Sequence, residues 1–211
     1  TDETSEIVEN YIENFPVSLE IILENKQGLH HARICGINNT NGEWLAFVDD
    51  DCLIAEDFVQ EIEQFIVEHP KCGLFGAKIL LEWEAEPPIY ALNRKWAFAG
   101  KNHGDLPQKR NWIAGTGMVL QRKAIEESGW LETQFLQDRS GEDLVSGGDM
   151  EMGMRIAKVS EAWYNPACVI RHQIPARRLT REYVRKITFG LGASRHNVAA
   201  LTWKSSYFDW F

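Results

Sequence analysis

No apolar run in this 211-residue chain approaches the roughly 20 consecutive residues that a helix needs to cross a bilayer. Its four cysteines, Cys35, Cys52, Cys72 and Cys168, are widely spaced without a Cys-x-x-Cys pair, and the N-terminal residues lack the pattern of a secretory signal. Both absences point to a reducing, cytoplasmic setting. Positive charge is scarce: 22 Lys and Arg against 31 Asp and Glu leave a net charge of -9. A chain so charged repels a nucleic-acid backbone, so no nucleic-acid polymer is expected as a partner. A small anion can still bind where positive charge is concentrated locally. Repeats and low-complexity tracts are also missing.

What is present suits one globular domain. Hydrophobic residues make up 44% and aromatics 11%, too rich for a disordered chain. "ETSEIVENYIE" spaces Ile7, Val8, Tyr11 and Ile12 as a helix does, and "VSLEIILE" at 17–24 is short and β-branched, as a strand. "LHHARICGIN" reads as a helix and "WLAFV" as a strand. "AEDFVQEIEQFIVEH" reads as a helix stopped by Pro70, and "GLFGAKILLEW" as a further strand. Prolines, glycines and charges break every period from 84 to 110, which predicts a variable excursion or surface loop. "WIAGTGMVLQRKAIEESG" then reads as strand, turn and short helix, "VSGGDMEMGMRIAK" as a glycine loop entering a helix, and "EAWYNPACVIRH" as a strand broken by Pro166. "LTREYVRKITFGLGASRHNVAAL" predicts two helical pieces around Gly190 and Gly192, within a helical and aromatic tail over 190–211. Helices alternating with near-continuous apolar strands predict an α/β domain with a mainly parallel sheet.

Four stretches carry candidate chemistry. "LAFVDDDC" runs a buried strand into Asp49, Asp50 and Asp51. In an extended chain residues i and i+2 face one way, so Asp49 and Asp51 would converge while Asp50 points elsewhere. Paired carboxylates beyond a strand's carboxyl end suit a hard divalent cation, Mn²⁺ or Mg²⁺; capping of a helix near Ala55 is the plainer explanation. In "SGGDMEMGMR", glycines admit a close ligand and Asp149 falls at a helix N-terminus, where a carboxylate serves as a general base or as an N-cap. Glu151 should lie on another face and is a weaker base candidate, and the neighbouring methionines suit packing.

The third stretch, "RHQIPARRLTREYVRK", concentrates six cations against Glu182. His172 could ligate a metal or bind phosphate, with one of Arg177 or Arg178 beside it, while the other cations form a solvated face or rest on anionic lipid. In the fourth, Gly115 and Gly117 flank Thr116, as a substrate loop or a strand bulge.

Five stretches in this order, "GLHHARICGIN", "GEWLAFVDDDC", "GTGMVLQRKAIEESGW", "SGGDMEMGMRI" and "YNPACVIRHQIPARRLT", resemble a family 2 glycosyltransferase of the GT-A fold. The resemblance covers most of the chain apart from the excursion and the tail. It implies a GT-A-like nucleotide-diphospho-sugar transferase domain over 1–211, N-terminally incomplete because the chain starts where the family's acidic base-gripping loop would end. It implies Asp149 as catalytic base, and Asp51 and His172 as metal ligands with Asp49 in the metal shell or on the ribose. It places Arg33, Asp49, Asp50 and Arg178 in the nucleotide-sugar pocket and Gly115, Gly117 and Gly148 on the acceptor side. The implied reaction inverts the anomeric carbon, taking a sugar from a UDP- or dTDP-sugar to a glycan or lipid-linked acceptor in polysaccharide biosynthesis, at the cytoplasmic face of a membrane. Ile34 and Gly148 depart from the family's usual Asn and Glu. A non-catalytic sugar- or partner-binding remnant and a metal-dependent nucleotidyl or phosphoryl transferase are the alternatives. Trp203, Tyr207, Phe208, Trp210 and Phe211 would either cover core or touch a bilayer interface.

Overall fold

The longest apolar runs become the central pair of strands in a computed structural model that describes residues 3–136 and 147–202. The aromatic tail from Trp203 lies outside the described residues. Strand β1 is Trp44–Phe47, β2 Cys52–Ile54, β3 Cys72–Trp83, β4 Gln108–Lys109, β5 Met118–Gln121 and β6 Glu161–Ile174. They form one sheet in the order β1-β5-β3-β6-β2, with β4 also pairing to β6. Helices α1 (Thr4–Ile12), α2 (Leu29–Asn38), α3 (Phe58–Glu68), α4 (Ile89–Leu92), α5 (Arg122–Glu127), α6 (Gly148–Ile156) and α7 (Arg181–Thr202) surround it, with 3₁₀ turns at Lys95–Phe98 and Ala176–Leu179.

Successive strand residues point to opposite faces, and the core follows that period. Leu74, Met118 and Leu120 pack with Ile37 of α2, Ile125 of α5 and Met152 and Ile156 of α6. Phe75 and Val119, each next in sequence to one of these, pack with Phe58, Ile62 and Phe65 of α3 on the other face. A third cluster at the sheet's end joins Ala91 and Phe98 to Ile174, Leu179 and Val184. The 84–110 excursion is therefore anchored to the fold by buried residues, where the sequence suggested only an excursion or surface loop.

The α/β architecture with a mixed sheet is as the sequence implied, but the sheet is not mainly parallel. Among the described residues only β3 and β6 run parallel; β1–β5, β3–β5, β2–β6 and β4–β6 are antiparallel. Helices cover both faces of the sheet, so its strands read as continuous apolar runs whatever their direction. "VSLEIILE" forms no strand. Its Val17 and Leu23 are exposed and it pairs with no described strand, since β-propensity acts only beside a partner. Residues 181–202 form one helix, not two pieces. A glycine inside a helix costs only about 1 kcal/mol, and buried Val184, Ile187 and Val198 hold α7 across both.

Pro166 sits where the β3–β6 register shifts, Ala77 facing Asn165 but Lys78 facing Val169. Beyond that bulge, β6 pairs with β2 so that His172 stands opposite Cys52. This register brings the aspartate stretch against the histidine.

Candidate active site

After β1 the chain turns: Cys52 N–H donates to the Asp49 carbonyl at 3.1 Å, closing a β-turn over Asp49 to Asp51. The extended geometry expected to converge Asp49 and Asp51 does not form, because a turn replaces the strand's alternation. Nor do these residues cap a helix, as α3 begins at Phe58 with Asp57 at its N-cap. The turn instead separates their tasks. Asp49 accepts a 2.6 Å hydrogen bond from the Thr116 hydroxyl, Asp50 is exposed, and Asp51 turns towards β6.

Oδ2 of Asp51 meets two partners, Nη1 of Arg178 at 2.9 Å and Nε2 of His172 at 3.3 Å. Half-burial opposes ionisation of this carboxyl, but His172 and Arg178 outweigh it and hold its pKa far below the usual carboxylate range. His172 is buried, and its Nδ1 donates to the Phe98 carbonyl at 2.8 Å, which aims Nε2 at Asp51. Asp51, Cys52 and His172 place ligand atoms within 4.8 Å of one another. Burial first, then the charges of Asp51 and Asp49, push the Cys52 thiol up to about 12, so it stays protonated beside the carboxylates. The cluster offers a carboxylate oxygen and an imidazole nitrogen, donors suited to Mn²⁺, with the Cys52 thiol beside them. Asp49 is not within this ligand cluster.

Asp149 lies in the first turn of α6, its carboxylate accepting from Gly115 N–H at 2.9 Å and Met150 N–H at 2.8 Å. A carboxylate offers about four lone-pair sites, so acceptor capacity remains. Buried Arg33 of α2 passes over Gly115, where an added Cβ would lie 2.1 Å from its Nη2. Gly117 has φ +66, where a Cβ would strike the side chain of Ile170. Gly148 is buried as the first residue of α6. Glu151 is also buried, accepting from Phe135 and Leu136 N–H and pairing with Arg155 at 2.6 Å. That carboxylate fastens a loop to α6.

One cleft of about 390 Å³ gathers Arg33, Asp49, Asp50, Asp51, Gly115, Asp149, His172 and Arg178. Gly117 and Gly148 are not among its lining residues. Arg177 is exposed, and Arg171 pairs with Glu82 outside it. Sequence reasoning missed Thr116, Phe98, Tyr183 and Ile187, all in the wall. Thr116 sits between two noted glycines and could have been found; a backbone carbonyl such as that of Phe98 leaves no mark in sequence.

The family model described as "Glycosyl transferase family 2" matches residues 1–129. "Glycosyltransferase GlyA" of Streptococcus pneumoniae is 39% identical over 69 residues, covering 33% of this chain and 10% of that protein. Among solved structures, residues 1–349 of S. aureus TarS in complex with UDP-GlcNAc align with a TM-score of 0.56 at 16% identity, over 82% of this chain and 47% of that one. GalNAc-T7 with UDP, GalNAc and Mn²⁺ aligns with a TM-score of 0.56 at 14% identity, over 82% and 35%. The chain thus spans less than half the length of these relatives, and the structural likenesses are of the GT-A fold. No helix among the described residues is long and apolar enough to cross a membrane.

Proposed function

The chain belongs to glycosyl transferase family 2, and from that premise we propose that its cleft moves a sugar from a UDP- or dTDP-sugar to a hydroxyl of a glycan or lipid-linked acceptor, with Mn²⁺ or Mg²⁺. The observation that carries this reading is the convergence of Asp51, His172 and Arg178 in one cleft with Asp149. His172 presents Nε2 to a carboxylate oxygen, an arrangement completed by a proton or a cation between them.

A divalent cation held by Asp51 and His172 would offset the charge that grows on the leaving nucleoside diphosphate. Arg178 adds a fixed positive charge at the same place, and buried Arg33 lines the donor's side of the cleft. Asp149 takes the proton of the acceptor hydroxyl as that oxygen attacks the anomeric carbon. Gly115 and Met150 N–H fix its orientation for that task. One base without a covalent nucleophile gives inversion at that carbon. Among relatives, TarS is solved with UDP-GlcNAc and GalNAc-T7 with UDP and Mn²⁺, which favours a uridine donor here.

The test is donor turnover by wild type and Asp149→Asn, with UDP affinity measured beside it. The variant should lose roughly 10²–10⁴-fold in rate while UDP affinity holds. Unchanged turnover removes Asp149 as base, and loss of both activities together assigns it to the donor pocket.

A further inference from the structure

A second cleft, of about 370 Å³, adjoins the first, with Ala114 and Thr116 in both walls. Among the described residues its charged wall groups are Lys101, Lys109, Arg110 and His103, without a carboxylate. Lys109 is neutralised by Glu161 at 2.6 Å. Neither Lys101 nor Arg110 is in an ion pair among the described residues. Their main chains are nonetheless pinned to the central strands. Lys101 exchanges backbone hydrogen bonds with Ile79, and Arg110 N–H donates to Ala162. The Lys101 ammonium sits 5.0 Å over the Trp112 ring.

Both cations line this one cleft, and Lys101 is desolvated there. Burial pulls the Lys101 pKa down; the attraction of Asp149 opposes it, and the repulsion of Arg110 adds a smaller downward pull. Burial, Arg110 and Lys101 likewise lower His103. Among the described residues neither cation meets a carboxylate at ion-pair distance, and Lys101 has only the Trp112 face and the longer-range pull of Asp149. An incoming anion would relieve both desolvation and repulsion. The place is also chemically informative, because Ala114 and Thr116 flank Gly115, whose N–H holds Asp149. A ligand in this cleft therefore lies beside the group assigned to deprotonate the acceptor. Trp112, 38% exposed, offers aromatic surface on which a sugar ring can stack.

We propose that this second cleft holds the acceptor and selects one bearing a negative charge, a phosphate or carboxylate on the sugar, through Lys101 and Arg110. The inference rests on the glycosyltransferase reading above and assigns the acceptor's class within it. A guanidinium fork and an ammonium together suit an oxyanion, and a neutral sugar would leave both cations unsatisfied.

The test is calorimetric titration of glucose 6-phosphate, glucuronic acid and glucose into the protein in EDTA, with UDP and Mn²⁺ titrated separately. The anionic sugars should bind at least about tenfold more tightly than glucose, a discrimination measured on the wild type alone. Lys101→Gln and Arg110→Gln should each weaken them by about tenfold, while Lys101→Arg restores most of the affinity. Preference for glucose 6-phosphate identifies a phosphorylated acceptor, and preference for glucuronic acid a uronic one. Saturating UDP with Mn²⁺ should leave anionic-sugar affinity in place. Equal binding of charged and neutral sugars, no binding of either, indifference to both glutamine variants, or displacement by UDP would overturn the proposal. UDP binding without anionic-sugar binding fails this inference alone; the converse fails the donor reading alone.

Discussion

Nε2 of His172 lies 3.3 Å from Oδ2 of Asp51, while Nδ1 of the same ring is tied to the Phe98 carbonyl at 2.8 Å. The tie fixes which nitrogen faces the carboxylate, as an outer hydrogen bond does for a metal-ligating histidine. His172→Ala should weaken Mn²⁺-dependent UDP binding at least about tenfold and leave uridine binding unchanged. Calorimetry with both ligands checks this; equal losses for UDP and uridine would assign the histidine to packing.

Two glycines of one loop should fail in different ways. At Gly115 an added methyl meets the Arg33 guanidinium, so Gly115→Ala should cost nucleotide affinity with little change in Tm. At Gly117 the φ of +66 and the contact with Ile170 penalise the fold itself, so Gly117→Ala should lose roughly 2–4 kcal/mol of stability. Denaturant unfolding beside UDP titration separates them, and the reverse pattern would refute both assignments.

Glu151 illustrates what the sequence concealed. It sits two residues from Asp149 with the same acidic chemistry, yet it is buried under Arg155 and two backbone donors. Glu151→Gln should destabilise the protein by roughly 3 kcal/mol, as breaking a buried pair does. Arg155→Gln should cost a similar amount, with the double variant showing strong coupling in a mutant cycle. Additive losses would show that the pair does not act as a unit.

The buried thiols give a chemical readout of the core. Burial pushes Cys72 and Cys168 up to about 12, so at pH 8.5 both remain thiols when folded, whereas an unfolded cysteine titrates near that pH. Thiol labelling of the native protein should spare both, and unfolding in guanidinium should expose them. Labelling of either in the native state would contradict the packing described for β3 and β6.

Apolar period and turn residues made the helices and central strands legible, as at Phe58, Ile62 and Phe65 of α3 and along "GLFGAKILLEW". Strand direction was not legible, because burial on both faces removes the alternation that would betray it. The three aspartates announced a site without disclosing its geometry. Whether Asp49 and Asp51 share a face depends on the turn closed by Cys52, and Asp49's partner, Thr116, is 67 residues away. His172 meets Asp51 only because the bulge at Pro166 sets the β6 register, a tertiary fact that no local pattern encodes.

The most direct test of the proposed metal and diphosphate site is calorimetric titration of UDP into wild type and Asp51→Ala, each with Mn²⁺ and then with EDTA. The account predicts binding to wild type with Mn²⁺, its loss in EDTA, and its loss in Asp51→Ala under either condition. UDP binding of equal strength with and without Mn²⁺, or undiminished in Asp51→Ala, would contradict it.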